Sequence, residues 1–161
     1  MNRESKRLHT AADAGAALKA AGSESRVTRH ESSLFSWPVR VYHEDVDGSG
    51  LVYHANYLKF LERARTEWLR ALGIDQVKLL REERLQFVVV EANVRYHRPA
   101  RFDDELVVSV TLESLRGASV EMGQEVRRAG ELLVSATVRA ACIDAETLKP
   151  RPLPRALTAK S

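Results

Sequence analysis

One long helical pattern followed by four strand patterns, with no second long helix between them, leaves this chain few ways to fold. Residues 56–73, NYLKFLERARTEWLRALG, place Tyr57, Leu61, Ala64, Trp68 and Leu72 at helical spacing, joined by Leu58, Leu69 and Ala71. Gly73 is the stop signal. The apolar arc is broad, which predicts burial over much of the helix circumference. A shorter, more exposed helical piece covers 75–84, and strand patterns follow at 86–96, 106–115, 119–128 and 132–143. Hairpin-type breaks separate them at 98–104, 116–118 and 129–131. Ahead of the long helix, WPVRVYHE (37–44) alternates Val39, Val41 and His43 against Arg40, Tyr42 and Glu44, a strand pattern with Pro38 near its start. One strand, one long helix and four antiparallel strands make an α+β domain in which a single helix must cover the sheet.

The 161 residues suit one such domain with enough chain for a core. The pattern becomes definite at Leu34, so residues 1–33, small, polar and charged, read as a disordered leader. The net charge of +3 owes much to the ends, and with 6% aromatic residues no strand alternates aromatic with basic side chains to stack bases. Nucleic acid is therefore not an expected partner. No segment has the apolar length of a secretory signal or a membrane span. The single cysteine, Cys142, lies in an apolar run and reads as a buried small hydrophobe, which makes a reducing, cytoplasmic setting the default.

Between the first strand and the helix lies DVDGSGLVYHAN (45–56), whose first six residues imitate a calcium loop. Two features oppose that reading. Loop position twelve, where a bidentate glutamate is needed, is Asn56, and the loop is entered from a strand pattern instead of a helix. His43, Asp45, Asp47 and His54 do not fall into a zinc-ligand spacing either, so no metal is expected. Ser49 has Asp47 two places before it, where a nucleophile elbow would have glycine. The acids of the loop are then candidates for chemistry on an organic substrate.

The stretch 34–74, with the later pieces VRYHRPARFDDEL, SLRGAS and CIDAETLKPRPLP, closely resembles the Tol-Pal-associated acyl-CoA thioesterases (YbgC-type). These form a branch of the 4-hydroxybenzoyl-CoA thioesterase family with the hotdog fold. The likeness covers residues 34–155, leaving 156–161 as a tail. It implies a five-stranded antiparallel sheet wrapped around the long helix and protomers paired as a homodimer or homotetramer. It also implies an acyl-CoA substrate lying along the interface, with coenzyme A as part of the substrate and no separate cofactor. The second acid of the acid-x-aspartate pair, here Asp47, faces the thioester carbonyl, and the backbone N–H seven residues later, at His54, polarises it.

That arrangement makes chemical sense. Attack on a thioester builds negative charge on oxygen, and donors at a helix N-terminus stabilise it. A carboxylate then attacks directly or takes a proton from water, and Asp47 is open to both roles. The His54 side chain either helps orient water or carbonyl, or lines the helix start. Tyr53 and Tyr57 are expected at the pocket wall, and Asp45 is expected to satisfy local N–H groups. Glu62 is the alternative carboxylate, with pairing to a neighbouring arginine, Arg63 or Arg65, as its structural role. Arg116 is placed either to meet a coenzyme A phosphate or to remain a solvated hairpin arginine. Competing functions are a hotdog hydratase or dehydratase, whose histidine and acid arrangement on the helix is missing, and a non-catalytic acyl-CoA binder. A cell-envelope-complex or acyl-carrier partner is compatible with catalysis.

Overall fold

The computed structural model describes residues 34–159. The leader assigned to residues 1–33 and the last two residues of the tail lie outside the described residues. Five strands, β1 (Phe35–Arg40), β2 (Leu85–Tyr96), β3 (Glu105–Arg116), β4 (Ser119–Arg128) and β5 (Glu131–Asp144), form one sheet of order β1-β3-β4-β5-β2. Every pairing is antiparallel. The helix α1 (Asn56–Ala71) lies on one face, followed by α2 (Gln76–Glu83), and α3 (Arg155–Thr158) closes the described chain.

Alternation along β4 aims Val120, Met122, Gln124 and Val126 inward, and β5 contributes Val134, Ala136, Val138, Ala140 and Cys142. Against them α1 sets Tyr57, Phe60, Leu61, Ala64, Trp68 and Leu69, all buried. Ala64, with no side chain beyond Cβ, is fully buried, so nothing larger separates the helix from its neighbours at that point. The helix stops as the sequence implies. Gly73 takes φ +84°, its N–H donates to Arg70 O at 2.9 Å, and the Ile74 N–H donates to Leu69 O at 2.9 Å. This is a Schellman cap, and its two flanking apolar residues, Leu69 and Ile74, are both buried. At the start of α2 the Asp75 carboxylate accepts the Lys78 N–H at 3.0 Å.

Three expectations change. The first strand does not run through residue 44. Its pairing with β3 ends at Arg40 opposite Glu105, Val41 exchanges backbone bonds with residues 103 and 104 just ahead of β3, and a 3-10 turn, His43–Asp45, then takes over. Asp45 forces the change: its Oδ2 accepts the Tyr42 N–H at 2.8 Å, and its own N–H donates to Tyr42 O at 3.0 Å. The buried face of α1 is also narrower than the arc suggested, because among the described residues only one sheet covers the helix. Leu58 stays 44% exposed and Ala71 is exposed, while Phe60 goes inside. Finally, packing continues past residue 155, since Leu157 of α3 is 1% exposed.

The core centres on Phe60, which is fully buried. Truncation by Phe60→Ala should lower the unfolding free energy by about 3–5 kcal/mol, read from urea denaturation with an unchanged slope.

Candidate active site

The candidate loop is a small hairpin closed by the Val46–Val52 bridge. The Asp47 N–H donates to Leu51 O at 2.9 Å, and the Gly50 N–H returns to Asp47 O at 3.0 Å. Gly50 sits at φ +78°, a region that glycine alone enters freely, whereas Gly48 does not need it. Asp47 is thereby held exposed near the hairpin tip. Its Oδ1 accepts the Ser49 hydroxyl and the Ser49 N–H, the latter at 2.8 Å. The Leu51 N–H adds a weaker backbone contribution to the same carboxylate. The Ser49 hydroxyl, then its N–H, hold the Asp47 carboxyl below the usual Asp value, because both donors favour the charged form.

From the hairpin the chain passes directly into α1. The Tyr53 N–H donates to Asp45 O at 3.0 Å, and the Asn56 side-chain amide donates to the same carbonyl at 2.9 Å. Asn56, at the position a calcium loop needs for its glutamate, is thus engaged as a donor. The two acids also diverge, Asp45 towards Tyr42 and Asp47 towards Ser49. Among the described residues no group of three or more His, Cys, Asp or Glu side chains could hold a metal ion.

His54 stands at the helix start with its ring exposed, its centroid 4.5 Å from that of Tyr53. Its carbonyl accepts the Tyr96 hydroxyl at 2.9 Å, whereas its N–H meets no acceptor among the described residues. Tyr53 is 48% exposed beside it. Tyr57 is different: it is 2% exposed, its ring packs against Phe60 and Tyr96, and its hydroxyl accepts the Ala100 N–H at 2.9 Å. Burial pushes the Tyr57 phenol up.

Asp47, Tyr53, His54 and Tyr57 therefore share one end of the domain. The other two candidates stand apart. Glu62 lies six residues along α1 from Asn56, about 9 Å of helix, and its Oε1 accepts the Thr66 hydroxyl at 2.6 Å. The pairing with arginine expected for it does not form. Arg65 turns under the helix and donates to Gln124 Oε1 at 2.9 Å, and burial pulls its guanidinium down. Glu62 and Arg65 border a cavity of about 110 Å³ floored by Trp68, Phe87, Val120 and Met122. Arg116 ends β3, whose 12 residues run roughly 35–40 Å from the end near the hairpin. It has no ion-pair partner among the described residues.

The sequence of the thioesterase-like superfamily matches this chain over residues 41–160. The chain belongs to that superfamily. It is 45% identical over 130 residues to the acyl-CoA thioester hydrolase YbgC of Escherichia coli O157:H7, covering 80% of this chain and 96% of that one. It is 45% identical over 125 residues to the acyl-CoA thioesterase YbgC of Haemophilus influenzae, covering 78% and 92%. Among solved structures, a probable thioesterase from Bartonella henselae superposes with a TM-score of 0.73 at 39% identity, over 76% of this chain and all of that one. The 1,4-dihydroxy-2-naphthoyl-CoA thioesterase Slr0204 from Synechocystis gives 0.74 at 25% identity, over 80% and 95%. A thioesterase of the superfamily, with the hotdog sheet and helix, is thus what the chain is.

Sequence reasoning passed over Ser49 as a partner of Asp47, although a hydroxyl two residues after an aspartate is a turn signal. It also passed over Tyr96, whose hydroxyl reaches His54 from 42 residues away and leaves no local signature. Ser49→Ala should raise the Asp47 carboxyl towards its usual value, because it removes a donor to the charged form. Carbon-detected NMR titration of the Asp47 carboxyl reads this directly, and an unchanged midpoint contradicts the assigned cause.

Proposed function

We propose that this thioesterase hydrolyses acyl-CoA thioesters to the free acid and coenzyme A, with Asp47 as the reacting carboxylate. The observation that carries the reading is the Asp47 carboxylate itself. It is anchored by Ser49 through Oδ1 and stays exposed on a hairpin that runs straight into the start of α1. An exposed aspartate is charged at neutral pH, as either attack or proton removal requires, and the Ser49 donors favour that charged form. The unpartnered His54 N–H, next to the positive end of the helix, is the donor proposed to stabilise the developing oxyanion. From Leu51, opposite Asp47, to His54 is three residues, roughly 10 Å of extended chain. As a nucleophile Asp47 forms an acyl anhydride, expels the coenzyme A thiolate and is freed by water; as a base it takes the proton of the attacking water. The exposed Tyr53 borders the carbonyl on this reading, and Arg116, free and distant in its own protomer, is left for the nucleotide end of a substrate bound across two protomers. The acyl-CoA names of the relatives support the substrate class, and the buried lone Cys142 supports a reducing compartment such as the cytoplasm.

Asp47→Asn tests the reading. Turnover of an acyl-CoA panel, followed by free thiol release, should fall about 10²- to 10⁴-fold while acyl-CoA binding and the fold persist. Glu62→Gln should change it little. Retention of more than about a tenth of kcat/KM in Asp47→Asn moves the reacting group elsewhere, and no wild-type turnover across the panel leaves a binding protein.

The functional unit we propose is a homodimer joined through β2. The two sheet edges differ. β1 carries Pro38, a residue found on edge strands because it has no N–H for a further ladder. β2 offers 12 residues with Val89 52% and Val90 49% exposed, a long edge with an apolar stretch that invites a partner strand. Light scattering should give a dimer or a multiple of it at micromolar concentration, and Val89→Lys with Val90→Lys should reduce it to monomer. An active wild-type monomer overturns the paired unit.

A further inference from the structure

Ala100, in the segment 98–104 that joins β2 to β3, is fully buried and uses its two backbone groups in opposite directions. Its N–H donates to the Tyr57 hydroxyl on the first turn of α1 at 2.9 Å. Its carbonyl accepts the Val52 N–H at 2.9 Å, and the next residue, Arg101, bridges to Leu51. Val52 closes the hairpin that carries Asp47. One residue therefore ties the hairpin to the helix independently of the chain that runs through 53–55.

The segment is itself pinned. Asp104 Oδ2 accepts both the Arg101 N–H at 2.8 Å and Arg128 Nη1 of β4 at 2.7 Å, and the same Arg128 nitrogen reaches Pro99 O at 3.4 Å. Val41 exchanges backbone bonds with residues 103 and 104 just before the 3-10 turn. The end of the first strand, at Val41, and the returning strand of the reactive hairpin, at Leu51 and Val52, thus both lean on this one segment.

We infer that residues 98–104 act as a clamp that sets the spacing between Asp47 and the helix start, with the Tyr57 hydroxyl and the Asp104–Arg128 pair as its positioning groups. The inference rests on the Asp47 reading above and assigns Tyr57 a task other than lining the substrate pocket. A carboxylate and an oxyanion donor must be held to well within 1 Å of working geometry, and misplacement by that much costs about 100-fold. Loss of the Tyr57 hydroxyl also strands a buried N–H, which lets the hairpin move to find water.

The test is Tyr57→Phe in the full-length protein, with Asp104→Asn as an approach from the other end of the clamp. Each variant is assayed well below its melting temperature and normalised to its folded fraction by circular dichroism. Both should lower kcat by about 10- to 100-fold with KM within about threefold, a split that mere loss of stability or of a substrate contact does not give. Asp104→Glu should recover part of the loss by keeping a carboxylate for Arg128. On the Asp47→Asn background Tyr57→Phe should add little, because the group being positioned is gone. The clamp is overturned if either folded variant keeps kcat within about twofold of wild type, if kcat falls only with the folded fraction, or if KM carries the loss. Failure of the Asp47 reading would be separately visible, as activity surviving in Asp47→Asn alone.

Discussion

Everything in this molecule is referred to the contact between α1 and the inner face of the sheet. A sheet with one apolar face needs a cover, and among the described residues only α1 is long enough to provide it. Phe60, Leu61 and Ala64 have no exposure at all, and the strand residues Val108, Val110, Val126 and Val138 that share this core are buried to the same degree. Each such large side chain is worth about 1.5–3 kcal/mol against exposure. The hairpin, the clamp segment and the helix start are then positioned relative to a body that cannot shift cheaply, since packed interiors tolerate little displacement.

Within that apolar contact sits a polar bond set that fixes how the helix is turned. Gln124 is 2% exposed on β4, and its Nε2 donates to Leu61 O at 3.1 Å and, more weakly, to Ser109 O at 3.4 Å. Its Oε1 receives Arg65. Apolar side chains accept many rotations of a helix at similar energy, but a buried amide leaves its groups unsatisfied in all but one. The neutral amide also lets a partly desolvated guanidinium stay charged without a carboxylate at ion-pair distance.

Local signals were readable and distant ones were not. The helix-stopping Gly73, the second helix and all four later strands follow from residue types that act on their immediate neighbours, and the boundaries of the second helix and the strands shifted by one residue or less. Asp47 was singled out through the family resemblance, whose acid, glycine turn and helix start are adjacent in the chain. The end of β1 was misread because Val41, His43 and the alternating polar residues continue the period of two, while Asp45 withdraws the Tyr42 N–H by a side-chain bond that periodicity does not register. Leu58 was counted inward because the helical period cannot say how many sheets cover a helix. The destinations of the Tyr57 hydroxyl, 43 residues away, and of Gln124 and Arg65, 59 residues apart, exist only after the fold has formed.

Pro38 has a further consequence. A sheet with two open edges can add strands at both, and a chain built on it can polymerise without end. Here one edge is interrupted by a residue that cannot donate, while the other is long and open. When two identical edges of the open kind meet about a twofold axis, each is consumed by the other, and only the interrupted edges face outward. A single imino acid thereby closes one edge of the sheet to further pairing by withholding one N–H at its margin.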